Sequence, residues 1–274
     1  MKYWILLSLL VIGGVVFWPH QTKISRYLKP LKVEAQNTGI PGIDCIYCIN
    51  LDIRNDKWER VQKEFAIQGL HVNRVAAING WKDLTKTDCK KLLASEKALK
   101  PGQIGCFLSH LSVLKNAQMK GFERILVLED DVSFIAPMKE LSSYLDQLSE
   151  IDPDWDLLYL DNWSMEGRGL KERFDRPDST MSEVIKKPKE ELSHFFHVFY
   201  RHDLHALVVS KKGVQKLLDH FSKKPFLLAI DTEMNHIDQI RMYETKRVFV
   251  RASYAVSDTW DKPKGADENF FTNK

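Results

Sequence analysis

The sequence is poor in cysteine, in net charge and in long apolar runs, and each scarcity excludes something. Four cysteines occur among 274 residues, at 45, 48, 89 and 106, too few for the disulfide framework of a small secreted scaffold. Cys45 and Cys48 have the spacing of a redox or zinc half-site, but they lie in the apolar run 43–49, which reads as a strand. Residues three apart on a strand point to opposite faces, so these thiols diverge, and no second Cys/His pair completes a zinc site. All four read as reduced core residues. Lysine and arginine total 40 against 37 acids, a net charge of +3, which gives no electrostatic footprint for nucleic acid. There is no internal repeat. What remains is 44% apolar and 28% charged, enough for a real core.

The long apolar run is residues 3–18, behind Lys2 and closed by Pro19. As a helix it would span about 24 Å. Its end, Val-Val-Phe-Trp, lacks the small residues that signal cleavage requires. Residues 1–19 therefore read as an uncleaved membrane anchor, 20–42 as a stem, 43–260 as the folded domain and 261–274 as a flexible tail. Lys23, Arg26, Lys29 and Lys32 follow the run, so the positive-inside rule places the domain of this single-pass protein in the cytosol, with a lumenal domain as the alternative.

Strand and helix patterns alternate along the domain. Strands are expected at 43–51, 71–78, 124–128, 155–160, 204–209 and 248–256. Between them, helices are marked by Trp58, Val61 and Phe65, by the stretch 89–99, by Ile104, Phe107, Leu108, Leu111 and Leu114, and by 138–148 and 211–221. Residues 165–192 are charge-dense and read as a long loop. The class is α/β, a mainly parallel central sheet flanked by helices.

One strand carries a chemical signal. The run 124–128 ends in Glu129-Asp130-Asp131. Strand ends in open α/β sheets face the ligand crevice, and three adjacent carboxylates repel one another unless a cation holds them. Glu129 and Asp131 are two apart and can point the same way; hard oxygen ligands suit Mn²⁺ or Mg²⁺. A solvated acidic turn is the plain alternative. A receiver-like phosphoacceptor, with Asp161 ending its later strand, is the chemical one, but only one helix fits between Asp131 and Asp156. His194, His197, His202 and His205 lie close in sequence, with no ligand spacing that supports zinc.

Three blocks in order resemble glycosyltransferase family 25, the family of lipooligosaccharide and procollagen galactosyltransferases. They are Tyr47-Cys-Ile-Asn-Leu-Asp-Ile-Arg54 followed by Trp58-Glu-Arg60, then Gly102-Gln-Ile-Gly-Cys-Phe-Leu-Ser-His110, then Ile125-Leu-Val-Leu-Glu-Asp-Asp-Val132. The resemblance implies a GT-A-like fold and an inverting transferase. It would move a hexose, galactose or glucose, from a UDP-sugar to a hydroxyl on a glycan, lipooligosaccharide or protein. Glu129 and Asp131 would hold Mn²⁺ (or Mg²⁺). Asn50, Arg54, Gly105, Ser109, His110 and Asp130 would form the donor site; for Gly105 a tight helix contact is an equal reading. Inversion needs a base on the acceptor side: Asp231 is the first candidate, with helix capping as its alternative, then Asp161, then Glu233. A catalytically silent relative acting as a binding or scaffold subunit is the competing function.

Overall fold

Strand β1 (Cys45–Asn50) is buried along its whole length, as a strand with apolar side chains on both faces must be. In the computed structural model, which describes residues 24–95, 99–161, 190–223 and 225–252, it lies inside an eight-stranded sheet. Helix α1 (Asn55–Gln68) buries Val61 and Phe65 and stops at Gly69, whose φ of 66° caps it in the left-handed region. β2 (Asn73–Ala76) and two short helices follow, α2 (Gly80–Asp83) and α3 (Lys86–Leu92). The latter is opened by a reciprocal capping box between Thr85 and Asp88. Helix α4 (Pro101–Lys120) is largely buried along its length and ends at Gly121.

β3 (Arg124–Glu129) leads through the acidic turn to β4 (Val132–Phe134), and α5 (Leu141–Ile151) leads to β5 (Leu157–Tyr159). Beyond them come β6 (Glu190–Leu192), β7 (Phe195–Val198), β8 (Ala206–Ser210), α6 (Lys211–Phe221), α7 (Ile230–Met234), β9 (Met242–Thr245) and β10 (Val250–Ala252). The sheet order is β2-β1-β3-β8-β5-β9-β7-β6, with β10 and β4 paired separately.

Six of these eight strands run one way, in line with the expected mainly parallel sheet. β8 and β7 run the other way, and β8 lies antiparallel between β3 and β5. Alternation of strands and helices in a sequence does not specify the edge from which a strand enters, so the mixed character was not readable. β6, β7 and β9 escaped notice because they are short. The expected last strand survives only as β10, outside the main sheet.

Side chains alternate across the sheet into two cores. Cys45, Tyr47, Leu157 and Tyr159 pack on the α4 and α6 side, and Ile46, Cys48, Leu158 and Leu160 on the α5 side. Cys45 and Cys48 thus face opposite ways, and all four thiols are free. Phe107 of α4 stacks on Phe226 at 3.8 Å and meets Phe221 of α6 edge-on at 4.8 Å. Such pairs add about 0.5–1.5 kcal/mol to area burial.

Two expectations at the N-terminus change. Residues 24–42 are not a spacer: Ile24, Val33 and Ile40 are buried in the cores. The single-pass membrane expectation is corrected, because no helix among the described residues is long and apolar enough to cross a membrane. The run 3–18 on which it rested lies outside the described residues, as do 165–189 of the charge-dense loop and the tail 261–274.

α4 approaches the segment after β2 so closely that a Cβ on Gly105 would lie 2.3 Å from Ile78 O and 2.6 Å from Gly80 N. Both obstacles are backbone and cannot swing aside. Gly105→Ala should therefore cost about 3 kcal/mol of stability by overpacking. Urea unfolding of the two chains checks this; matching midpoints would show that the contact yields.

Candidate active site

β3 delivers Glu129 to the rim of the sheet, where its N–H donates to His205 O at 2.9 Å, just before β8 begins at Ala206. The backbone then leaves the sheet, and Arg60 of α1 fixes the turn by donating to Asp130 O and Val132 O, each at 2.9 Å. The three acids part company here. Asp130 turns inward, accepting from Asn50 Nδ2 at 2.7 Å with Lys57 Nζ at 3.3 Å. Glu129 and Asp131 point together, as their spacing predicts. His205 Nδ1 stands 3.4 Å from Asp131 Oδ1 and 3.7 Å from Glu129 Oε2. His110 Nε2 of α4 lies 3.2 Å from Glu129 Oε1.

This geometry meets a test for a cation site. Candidate ligand atoms of Glu129, Asp131 and His205 lie within 4.8 Å of one another, and those of Cys106, His110 and Glu129 form an overlapping group. Both ring nitrogens of His205 are buried and neither makes a hydrogen bond, a costly arrangement unless something else engages them. Two carboxylates and an imidazole form a donor set that fits a divalent ion such as Mn²⁺.

The electrostatics agree. Burial works to raise the Glu129 carboxyl, but His110 and His205 override it and hold it well below the usual carboxylate range. Burial likewise works to lower the His205 imidazole, and Asp131 and Glu129 prevail, holding it up at about 11. Without a bound ion, that imidazolium supplies the compensating positive charge. Asp130 behaves differently: its burial outweighs Lys57 and Asn50 and raises its carboxyl. Burial, then Glu129, Asp231 and Asp131, push the Cys106 thiol well up, which favours the neutral thiol beside the acids.

A cleft of about 100 Å³ opens beside the acids, between Lys57 on one side and Asn79, Trp81, Cys106 and Ser109 on the other. Asn79 caps α2 by accepting from Trp81 N at 3.1 Å. Ser109 Oγ accepts from Ile78 N at 2.8 Å and donates to Gly105 O at 2.7 Å, which locks this wall onto α4.

Among the expected donor-site residues, Asn50, Ser109, His110 and Asp130 gather here. Asn50 Oδ1 also accepts from Arg74 Nε at 2.9 Å. Gly105 serves the close helix contact. Arg54 turns away to Asp56, with Nε at 3.0 Å and an Nη at 2.9 Å; the cation lining the cleft is Lys57, one turn further along α1. Lys57, Arg60 and His205 were not assigned to this site from sequence. Lys57 and Arg60 are three apart on α1, charged residues on a helix face that packs inward, which is the one local signal they offered.

The base candidates fare differently. Asp231 is not the cap of α7, since Ala229 holds that position. Its carboxylate accepts from Thr232 N at 2.8 Å and from Asp203 N at 3.1 Å, with His202 Nδ1 at 3.6 Å. Burial works against these contacts, but His202 and the two amides keep its carboxyl below the usual value. Asp203 Oδ2 in turn lies 3.9 Å from His205 Nε2, so a chain of contacts runs from Asp231 through Asp203 and His205 to the acid pair. Asp161 is bonded to the buried guanidinium of Arg201, which also lies 3.6 Å from Glu244 and over the ring of Tyr159. Glu233 is buried against His220 of α6 at 3.2 Å. The other sequence-adjacent histidines disperse: His194 packs on Tyr144, His197 on Tyr243 and His202 against Tyr200.

Residues 43–234 match the family model of glycosyltransferase family 25 (LPS biosynthesis protein). Procollagen galactosyltransferase 2 of Homo sapiens is 31% identical over 188 residues, covering 65% of this chain and 28% of that protein. Inactive glycosyltransferase 25 family member 3 of Homo sapiens is 27% identical over 162 residues, covering 55% of this chain and 26% of that protein. The chain thus spans less than a third of the length of these curated relatives. Among solved structures, mouse xyloside xylosyltransferase 1 in its apo form aligns with a TM-score of 0.34 at 14% identity, over 81% of this chain and 77% of that one.

The raised His205 has a measurable consequence. Its folded value of about 11 exceeds the ordinary 6.5, so its contribution to stability is complete below the ordinary value and is lost as pH rises through the folded one. In excess chelator, the wild-type chain should lose stability from about pH 7 to about pH 10, and His205→Gln should flatten that loss. Urea unfolding across this range measures it; equal slopes in the two chains would contradict the charge assignment.

Proposed function

Because the chain belongs to glycosyltransferase family 25, we propose that it transfers a hexose, galactose or glucose, from a UDP-sugar to an acceptor hydroxyl. The acceptor sits on a glycan, a lipooligosaccharide or a protein, the scaffold is GT-A-like, and the anomeric carbon is inverted. The observation that carries this reading is the convergence of Glu129, Asp131 and His205, the two acids of which also line the cleft. A divalent ion such as Mn²⁺, held by these three, would offset the charge of the donor's diphosphate and favour its departure.

The chain's own residues supply the rest. Lys57 adds a positive charge to the cleft that receives an anionic donor. Trp81, on the opposite wall, offers an aromatic surface to it. Asn50 and Arg60 hold the acidic turn in place from behind. The acceptor oxygen attacks the anomeric carbon from the face opposite the leaving group, its proton passes to a carboxylate, and the bond to the diphosphate breaks to release UDP. Asp231 is the preferred base. Its carboxylate is held by two backbone amides and by His202 at 3.6 Å, whereas Asp161 is committed to the buried Arg201 and Glu233 to His220 at 3.2 Å.

A silent binding subunit is the second reading, because one similar protein is named inactive. Turnover separates the two. With Mn²⁺ present, the full chain should release UDP from UDP-galactose or UDP-glucose, and Asp131→Asn should lower that rate at least about 10²-fold while the chain still unfolds cooperatively. Activity that survives excess chelator would remove the metal assignment.

Asp231→Asn should lower turnover by about 10²- to 10⁴-fold with UDP affinity nearly unchanged. Asp203 N and Thr232 N donate to different oxygens of Asp231, so Asn keeps one of the two bonds, and the unfolding midpoint of the variant, measured beside its rate, separates loss of the proton acceptor from local rearrangement. A near-wild-type rate for this variant would exclude Asp231 and shift the role to Asp161.

A further inference from the structure

The family match begins at residue 43, yet residues 24–33, well before it, are built into the domain. Ile24 and Val33 are buried in the core on the α4 side, with Tyr27, Leu28 and Leu31 packed against it. Polar ties accompany this packing. Tyr27 Oη donates to Asp88 Oδ1 at 2.8 Å, in the capping box of α3. Lys29 N donates to Ser112 Oγ at 3.0 Å, and Asn116 Nδ2 donates to Leu31 O at 3.0 Å. Ser112 and Asn116 continue along α4 the stripe that starts at Gly105 and Ser109, with spacings of four, three and four that keep all four residues on one helix face. The first half of that stripe holds the cleft wall at 78–80, and the second half holds the segment 29–31.

One contact joins the two halves. Lys29 Nζ donates to Ala77 O at 2.9 Å. Ala77 lines the cleft, and its own N–H donates to Asn50 O at 2.9 Å. The wall that carries Asn79 and Trp81 is thus pinned at Asn50 O, at Ser109 Oγ and at Lys29 Nζ. The first two pins come from the region that matches the family, and the third does not. A charged ammonium that settles on a backbone carbonyl gives up rotamer freedom and hydration, which makes this contact a selective fixing of one peptide.

We infer that residues 24–33 brace the donor cleft, and that Lys29 is a positioning residue that acts through Ala77 to set the Asn79–Trp81 wall against the acids. The donor side of this inference rests on the transferase reading above; the bracing does not. The test uses the full chain with Lys29→Met, Lys29→Arg and Tyr27→Phe. It pairs amide hydrogen exchange resolved by mass spectrometry with calorimetric binding of UDP in Mn²⁺. In Lys29→Met, amides of residues 77–81 should exchange about tenfold faster, with β3 and β8 unchanged, and UDP should bind about tenfold more weakly. Lys29→Arg should restore both, since a guanidinium can also donate to Ala77 O.

Wild-type exchange at 77–81 in Lys29→Met, or acceleration spread evenly over the whole chain, would overturn the brace. If wild type bound no UDP, the donor reading would fall and the exchange arm would still decide the bracing. Should Lys29→Met not fold, Tyr27→Phe, which loosens the same segment by removing its hydroxyl tie to Asp88, decides it: faster exchange at 77–81 with β3 and β8 unchanged supports the brace, and wild-type exchange there overturns it.

Discussion

Three consecutive carboxylates can share a strand end only if their charges are compensated separately, and much of this fold is arranged around that separation. Asp130 is drawn inward to Asn50 and Lys57. Glu129 and Asp131 are left together, facing His110 and His205. Each compensating group comes from a different element: Lys57 and Arg60 from α1, His110 from α4, His205 from the approach to β8. Coulombic repulsion among acids this close is large in a partly buried setting. The partners are therefore a condition of the turn having this shape at all, and one of them, Lys57, also lines the cleft.

The central strands and long helices were legible because their patterns are strong: β1 and β3 are continuous apolar runs, and α4 repeats Ile104, Phe107, Leu108 and Leu111 at helical spacing. The joint direction of Glu129 and Asp131 followed from the two-residue period of an extended chain. His205 could not be placed this way. It reaches the acids only because β8 runs antiparallel to β3, and strand direction is a property of the assembled sheet. Arg54 and Lys57 are both basic residues near the end of β1; which one faces the cleft depends on where α1 begins, a boundary that propensity fixes only to within a residue or two. The segment 24–42 read as a stem because its apolar residues, Ile24, Tyr27, Leu28, Leu31 and Val33, are interleaved with lysine, arginine and proline.

Arg201 shows a second way in which charge organises the molecule. Its guanidinium is fully buried, yet it joins Asp161 beyond β5 to Glu244 on β9 and covers the ring of Tyr159. Burial works to lower it, and Asp161 and Glu244 together raise it. Removing one partner of such a group leaves an uncompensated buried charge, which is costlier than the pair was worth. The ends of β5 and β9 are therefore held in a fixed relation next to the site, and Asp161 is held as one part of that joint.

The bond from Glu129 N–H to His205 O carries a further implication. This peptide-to-peptide contact continues the five-residue ladder of β3 and β8, so the alignment of the two strands also fixes the distance between an imidazole and two carboxylates. A slip of one residue in that alignment would turn every side chain of β8 to the opposite face of the sheet, and Leu204 or Ala206 would stand where His205 does. Leu204, Ala206, Leu207, Val208 and Val209 are all apolar, so much of the packing could be rebuilt after such a slip while the ligand set could not. The arrangement of Glu129, Asp131 and His205 is therefore more sensitive to the register of this seam than the packing around it is.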